Sequence, residues 1–133
     1  MFELNARIEA DTVPVADWPL CRVLLMNDAS HPWLLLVPRR AGAVEITDLE
    51  DADRHALLDE ISRASLALRR AVAPHRINVA ALGNVVAQLH VHVIARFTDD
   101  PAWPKPVWGA APARPYAPEA LEQRLAQLRA ALG

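Results

Sequence analysis

The apolar positions of the chain fall into short runs, then one long stripe, then short runs again. Thr12-Val13-Pro14-Val15 reads as a short edge strand, because an edge tolerates a proline with no N–H to give to a ladder. Residues 20–27 and 33–37 are apolar runs on either side of the turn-rich Asp28-Ala29-Ser30-His31-Pro32, and Pro38 stops the second run. This spacing predicts an antiparallel hairpin. Leu57, Ile61, Ala64, Leu68 and Ala71 recur at helical intervals and predict one amphipathic helix over residues 51–72. Thr47-Asp48-Leu49-Glu50 has capping-box spacing, and Asp51 offers a competing start. Asp59 and Arg63 are one turn apart and can pair, Arg69 and Arg70 suit the C-terminal end of the helix dipole, and Pro74 stops the helix. Residues 77–82 read as a strand and Gly83-Asn84 as a turn. Alternation then becomes strict along Gln88-Leu89-His90-Val91-His92-Val93-Ile94, in a strand expected to reach Phe97. Successive side chains of a strand point to opposite faces, so Leu89, Val91 and Val93 are expected in the core, with Gln88, His90, His92 and Ile94 together on the other face.

Residues 99–116 are rich in proline and carry Trp103 and Trp108. They cannot form a regular element, and their aromatics predict packing over something. Pro118 followed by Leu121, Leu125, Leu128 and Leu132 predicts a short amphipathic C-terminal helix. The order strand, strand, helix, strand, strand predicts an α+β fold. It has an antiparallel sheet of about five strands, one long helix and the short C-terminal helix. Residues 1–133 are expected to form one domain, with a core over about 1–98 and a Pro/Trp-rich tail with the C-terminal helix over 99–133.

Composition narrows the function classes. A chain of 133 residues with 53% apolar and 23% charged residues has the make-up of a globular domain. A net charge of −2 provides no electrostatic footprint for nucleic acid. No apolar run approaches the roughly 20 residues of a membrane span. The single cysteine, Cys21, cannot form an internal disulfide, and the first residues carry Glu3, Glu9 and Asp11 and no basic-then-apolar leader pattern. A reducing, cytoplasmic location is expected.

The chemistry concentrates at His90 and His92. Residues two apart on a strand are separated by roughly 6–7 Å, so two imidazoles can act on one phosphate group. One attacks phosphorus while the other bonds an oxygen. Asn84 and the main-chain N–H groups of Gly83, Asn84, Val85 and Val86 lie just before this strand and can surround the phosphate. His-x-His is also a metal-ligand spacing, but a third ligand from His31, Cys21, His55 or His75 would have to converge there, and no known spacing places one. His55 and His75 otherwise read as ordinary helix and loop histidines, and Arg39-Arg40 as a solvated strand end.

At these residues the chain resembles the histidine triad (HIT) nucleotide-binding family, whose motif is His-φ-His-φ-His-φ-φ with φ apolar. The likeness extends over residues 20–97, and the tail Asp100-Pro101-Ala102-Trp103-Pro104-Lys105-Pro106-Val107-Trp108-Gly109 looks like a bacterial branch of the family. The resemblance implies that His90 is the nucleophile and that His92 contacts phosphate oxygens or the leaving group. Gln88 stands where the first triad histidine would be and takes a supporting role, since an amide donates and accepts but carries no charge. Asn78 matches the family's polar residue on the neighbouring strand, and Asn27 matches a nucleotide-contacting asparagine. The implied activity is that of a nucleotide hydrolase or nucleotidyl transferase acting at the α-phosphate of a dinucleoside polyphosphate or nucleoside phosphoramidate, through a covalent nucleotidyl-histidine. No cofactor is required for the covalent step, magnesium entering at most with substrate, and a homodimer is implied. The alternative is a non-catalytic nucleotide-binding module of the same fold.

Overall fold

Alternating apolar side chains build one five-stranded antiparallel sheet, seen in a computed structural model that describes residues 1–133. Its strands are β1 (Thr12–Asp17), β2 (Cys21–Met26), β3 (Trp33–Pro38), β4 (Arg76–Ala80) and β5 (Val91–Arg96), in the spatial order β1-β2-β3-β5-β4. Helix α1 (Ala6–Asp11) precedes the sheet, α2 (Asp51–Val72) connects β3 to β4, and α3 (Pro118–Leu132) closes the chain. The α+β class, the five antiparallel strands, the long helix and the C-terminal helix all agree with the sequence reading. No helix is long and apolar enough to cross a membrane.

Each central strand is buried on both faces. Every residue of β3 and β5 is buried, which is why Trp33–Pro38 reads as an unbroken apolar run. One face of the sheet, with Val23, Leu34, Leu36, Val91 and Val93, packs against Leu57, Ala64 and Leu68 of α2 and Leu128 of α3. The opposite face carries Leu24, Trp33, Leu35 and Ile94, covered by Ile8 from α1 and Val107 from the tail. The core roles expected of Leu89, Val91 and Val93 are met on the α2 side.

Helix α2 spans the predicted residues, but its ends differ in detail. The Thr47–Glu50 spacing does not cap it. Instead the Asp48 carboxylate accepts from the N–H groups of Val44 and Glu45 in the preceding turn, and Glu50 is the N-cap without a side-chain bond. Arg63 does not pair with Asp59. Its guanidinium lies 4.2 Å from the Trp18 ring centroid and donates to the Leu132 carbonyl, so it ties α2 to the start of β2 and the end of α3. Buried Glu60 accepts from the N–H groups of Leu20 and Cys21, fixing the β1–β2 turn to the same helix.

Two strand boundaries depart from the pattern. β4 ends at Ala80, and the chain leaves the sheet before Leu82, which is exposed. β5 begins at Val91, so Gln88 does not share a strand face with His90 and His92. The alternation continues through Gln88-Leu89-His90, but the ladder does not: β4 has already ended, the pairing with β3 stops at Leu36 and Val91, and the Leu89 N–H goes to the carbonyl of Ala43.

Candidate functional site

His92 lies opposite Leu35 on β3 and Ala80 on β4, on the sheet face turned away from α2. His90 stands just before β5 begins. The two rings meet edge to face with centroids 4.9 Å apart. Both are more enclosed than a half-covered strand face implies, at 9% and 4% exposure. The cover is the tail: the Trp108 ring stands 4.9 Å from His92 and 5.9 Å from Trp33.

The hydrogen bonds at each ring set its proton. His90 Nδ1 is 2.7 Å from the Gln88 carbonyl oxygen, which only accepts, so Nδ1 carries the hydrogen. In the neutral ring the lone pair is then on Nε2. His92 has the reverse arrangement. Trp33 Nε1, which only donates, is 3.0 Å from His92 Nδ1, so neutral His92 carries its hydrogen on Nε2. Burial, followed by the proximity of His90, lowers His92 to about 4, so it is neutral at physiological pH. A ring offering a lone pair and a ring offering a neutral N–H therefore sit side by side.

Both rings open on a cavity of about 280 Å³. Helix α1 supplies one wall through Arg7, Ile8 and Asp11; Trp33 and Leu35 form the floor. The opposite wall is residues 82–86, where Gly83 adopts a φ of +72° that favours glycine. Thus His90, His92, Gly83, Asn84, Val85 and Val86 converge on one space. Arg7 is the only cationic side chain lining it, paired with Asp11 at 3.8 Å.

The other expected site residues lie elsewhere. Gln88 does not line the cavity; its side chain bonds the N-terminal segment. Asn27 accepts from the Tyr116 N–H and borders an adjoining depression that shares Asp11, Met26, Trp33 and Trp108 with the cavity. Asn78 accepts from Arg96 Nη1. Arg96, fully buried, grips Asp100 through Nε and Nη2 at 2.8 and 3.1 Å and also donates to the Lys105 carbonyl. Burial alone would raise the Asp100 carboxyl, but the Arg96 bonds and the N–H groups of Phe97, Ala102 and Trp103 outweigh it and hold it well below the usual range.

No group of three or more His, Cys, Asp and Glu side chains converges to hold a metal ion. His31 lies 3.8 Å from Asp100, and His75 packs edge-on against Trp103. His55 is exposed on α2, and Cys21 is buried beside Glu60.

Sequence reasoning missed Trp33, Arg96 and the α1 wall. Trp33 sits at an apolar position of an apolar strand, where its N–H carries no signal. Asn5 was a signal that α1 existed: its Oδ1 caps the helix by accepting from the N–H groups of Arg7 and Ile8.

The fold and site together define an α+β protein that presents a pair of complementary imidazoles at a small cavity on one sheet face. The HIT domain family matches residues 7–99. Solved structures agree: a histidine triad protein from Bradyrhizobium japonicum is 45% identical over 99% of this chain and 98% of its own, with a TM-score of 0.97. One from Marinobacter aquaeolei VT8 is also 45% identical, covering 99% and 96%, with a TM-score of 0.96. One from Sinorhizobium meliloti 1021 is 43% identical over 96% and 94%, with a TM-score of 0.93. No curated protein matches the chain. The chain belongs to the HIT domain family, a family of nucleotide-binding proteins, hydrolases and transferases.

Proposed function

We propose that this protein is a nucleotide hydrolase or nucleotidyl transferase that works through a covalent nucleotidyl-His90. The observation that carries the reading is the opposed tautomers of the two rings. His90, with Nδ1–H held by the Gln88 carbonyl, offers the Nε2 lone pair to the α-phosphorus; the phosphorus–nitrogen bond forms as the bond to the leaving group breaks. His92 donates its Nε2–H to a phosphate or leaving-group oxygen, and the N–H groups of residues 83–86 surround the charge that develops. Water then attacks phosphorus, breaks the bond to His90 and releases the nucleoside monophosphate; an alternative acceptor makes the same step a transfer. Gln88 occupies the first triad position, and residues 99–133 are part of the same unit because Trp108 completes the cavity. Magnesium enters, if at all, with the substrate's phosphates.

Within the expected substrate classes, the geometry favours phosphate anhydrides over phosphoramidates. A leaving phosphate departs as an anion and needs no proton, whereas a leaving amine does. His92 has Nδ1 occupied by the Trp33 N–H and only a neutral N–H to offer, and Gln88 cannot carry a transferable proton. The first test is a panel of dinucleoside polyphosphates and nucleoside phosphoramidates, with intact mass recorded during turnover. A protein adduct of one nucleoside monophosphate, absent in His90→Ala, supports the reading. Nucleotide binding with neither adduct nor product supports the non-catalytic module.

Trp33→Phe tests the tautomer argument. It keeps an aromatic floor and removes the N–H. Anhydride turnover is expected to fall about tenfold, the loss of one hydrogen bond that orients a catalytic group. An N–H aimed at Nδ1 leaves no place for a proton there, so its removal should move the acid limb of the rate profile upward, while burial and His90 still hold the ring below its ordinary value. The phosphoramidate-to-anhydride ratio should rise. An unchanged pH profile and ratio would remove Trp33 from the mechanism.

The proposed partner, besides nucleotide, is a second copy of this chain. β4 is an open edge of the sheet with Val79 exposed, and α2 exposes Leu58 and Leu66. Sedimentation at micromolar concentration reads the mass directly, and a single-chain mass would refute it.

A further inference from the structure

We propose that the Gln88 side chain is a positioning element that clamps α1 in place as a wall of the nucleotide cavity, so that it governs nucleotide affinity more than the chemical step. This rests on the nucleotide reading above. The Gln88 amide makes two bonds to the N-terminal segment: Oε1 accepts from the Asn5 N–H at 2.8 Å, and Nε2 donates to the Glu3 carbonyl at 2.8 Å. A planar amide presents its acceptor and donor side by side, and Gln88 uses both at once on Asn5 N–H and Glu3 C=O. A neutral imidazole has one donor and one acceptor on diverging edges and cannot make both bonds at once. That geometry accounts for glutamine at a position where the family motif has histidine.

The clamp leads directly to the cavity. Asn5 is the N-cap of α1, and α1 carries Arg7, Ile8 and Asp11 into the cavity wall. Ile8, buried, packs in one cluster with Leu24, Trp33 and Leu35, so the wall is continuous with the floor beneath His92. A helix of six residues is too short to hold itself in place, and its position must come from such outside contacts. Gln88 therefore serves two parts of the site through different atoms. Its main-chain carbonyl orients His90, and its side chain holds α1. Substitution of the side chain leaves the carbonyl in place, so the two roles separate experimentally.

The test compares wild type with Gln88→Ala, Gln88→His and Gln88→Glu. Trypsin cleavage after Arg7 reports release of α1, and calorimetric titration with AMP and GMP reports affinity; neither needs turnover. In Gln88→Ala, cleavage after Arg7 should accelerate about tenfold or more and the dissociation constant should rise about tenfold, as expected for two lost hydrogen bonds, while kcat changes less than about threefold. Gln88→His and Gln88→Glu each retain one bond and should fall between. Bound nucleotide should slow the cleavage in wild type. Faster cleavage with unchanged affinity, or a fall in kcat with unchanged cleavage and affinity, overturns the proposal alone. Failure of wild type to bind either nucleotide overturns the nucleotide reading, and this proposal with it.

Discussion

Replacement of His90 by alanine is expected to lower turnover about ten-thousandfold or more, the scale of loss when a covalent nucleophile is removed. The Nε2 lone pair is the only one the pair of rings offers, because His92 Nδ1 is occupied by Trp33 and its Nε2 carries hydrogen. His92→Ala should cost less, roughly ten- to a thousandfold, as for loss of one stabilising donor. His90 is buried, so its removal leaves a small void, and melting temperatures must accompany the kinetics. His90→Asn fills part of that void without restoring a nucleophile and should be as inactive as alanine. A near-normal rate in either variant would mean that the nucleophile lies elsewhere.

The largest effect on stability is expected at Arg96. Arg96→Met should destabilise the fold by about 3–5 kcal/mol, because it leaves a buried carboxylate without its partner. Asp100 is 3% exposed at its side chain, and Asn78 and the Lys105 carbonyl lose their donor as well. Replacing both partners, as in Arg96→Met with Asp100→Leu, should recover part of the loss, which a urea titration measures. The sign with pH follows from the depressed Asp100 carboxyl. A group lowered on folding contributes stability above its unfolded value, about 3.9, and that contribution is lost as pH falls toward the folded value. Wild type should therefore weaken below about pH 4, and Arg96→Met should show a shallower decline there. Equal slopes would show that the pair contributes nothing to acid stability. Because Arg96 also fixes the tail that carries Trp108, near-ultraviolet circular dichroism should report loosened tryptophans in the variant before global unfolding.

The parts of the molecule that were legible in the sequence are those where periodicity and burial coincide. α2 was placed at Asp51–Val72 because its apolar stripe faces the sheet along its length. β2, β3 and the Val91–Arg96 strand were visible as apolar runs between turns. His90 and His92 stood out because polar rings interrupt an apolar strand. What was hidden depends on partners distant in sequence. Gln88 looked like the next residue of the strand because alternation continues after pairing has stopped; its true partners, Glu3 and Asn5, are 85 and 83 residues away. Trp33 looked like a core residue, and it is one, but a core residue with a single N–H aimed at His92, 59 positions further on. α1 is a six-residue helix with one buried side chain, too little for a periodic signal. The family likeness marks Asn27 and Asn78 as site residues, and in the fold their side-chain oxygens accept from Tyr116 and Arg96.

Val107 and the two tryptophans pack the tail onto the sheet, and side chains of the scaffold hydrogen-bond its main chain. Asp100 takes the N–H groups of Phe97, Ala102 and Trp103; Arg96 takes the Lys105 carbonyl; Asp28 takes the Arg114 N–H; and Asn27 takes that of Tyr116. Grips on peptide groups are blind to the side chains they carry. Residues 108–113 are exposed and hang between Val107, which stays in the core, and the grip at Arg114, with Trp108 lining the cavity at their start. They form an exchangeable cassette: its ends are fastened by the scaffold, and its contents are free to drift or be randomised without unfastening it. A library confined to these residues would sample new cavity roofs over an unaltered pair of histidines, the kind of separation that lets selection retune what a protein accepts while the chemistry beneath is left alone.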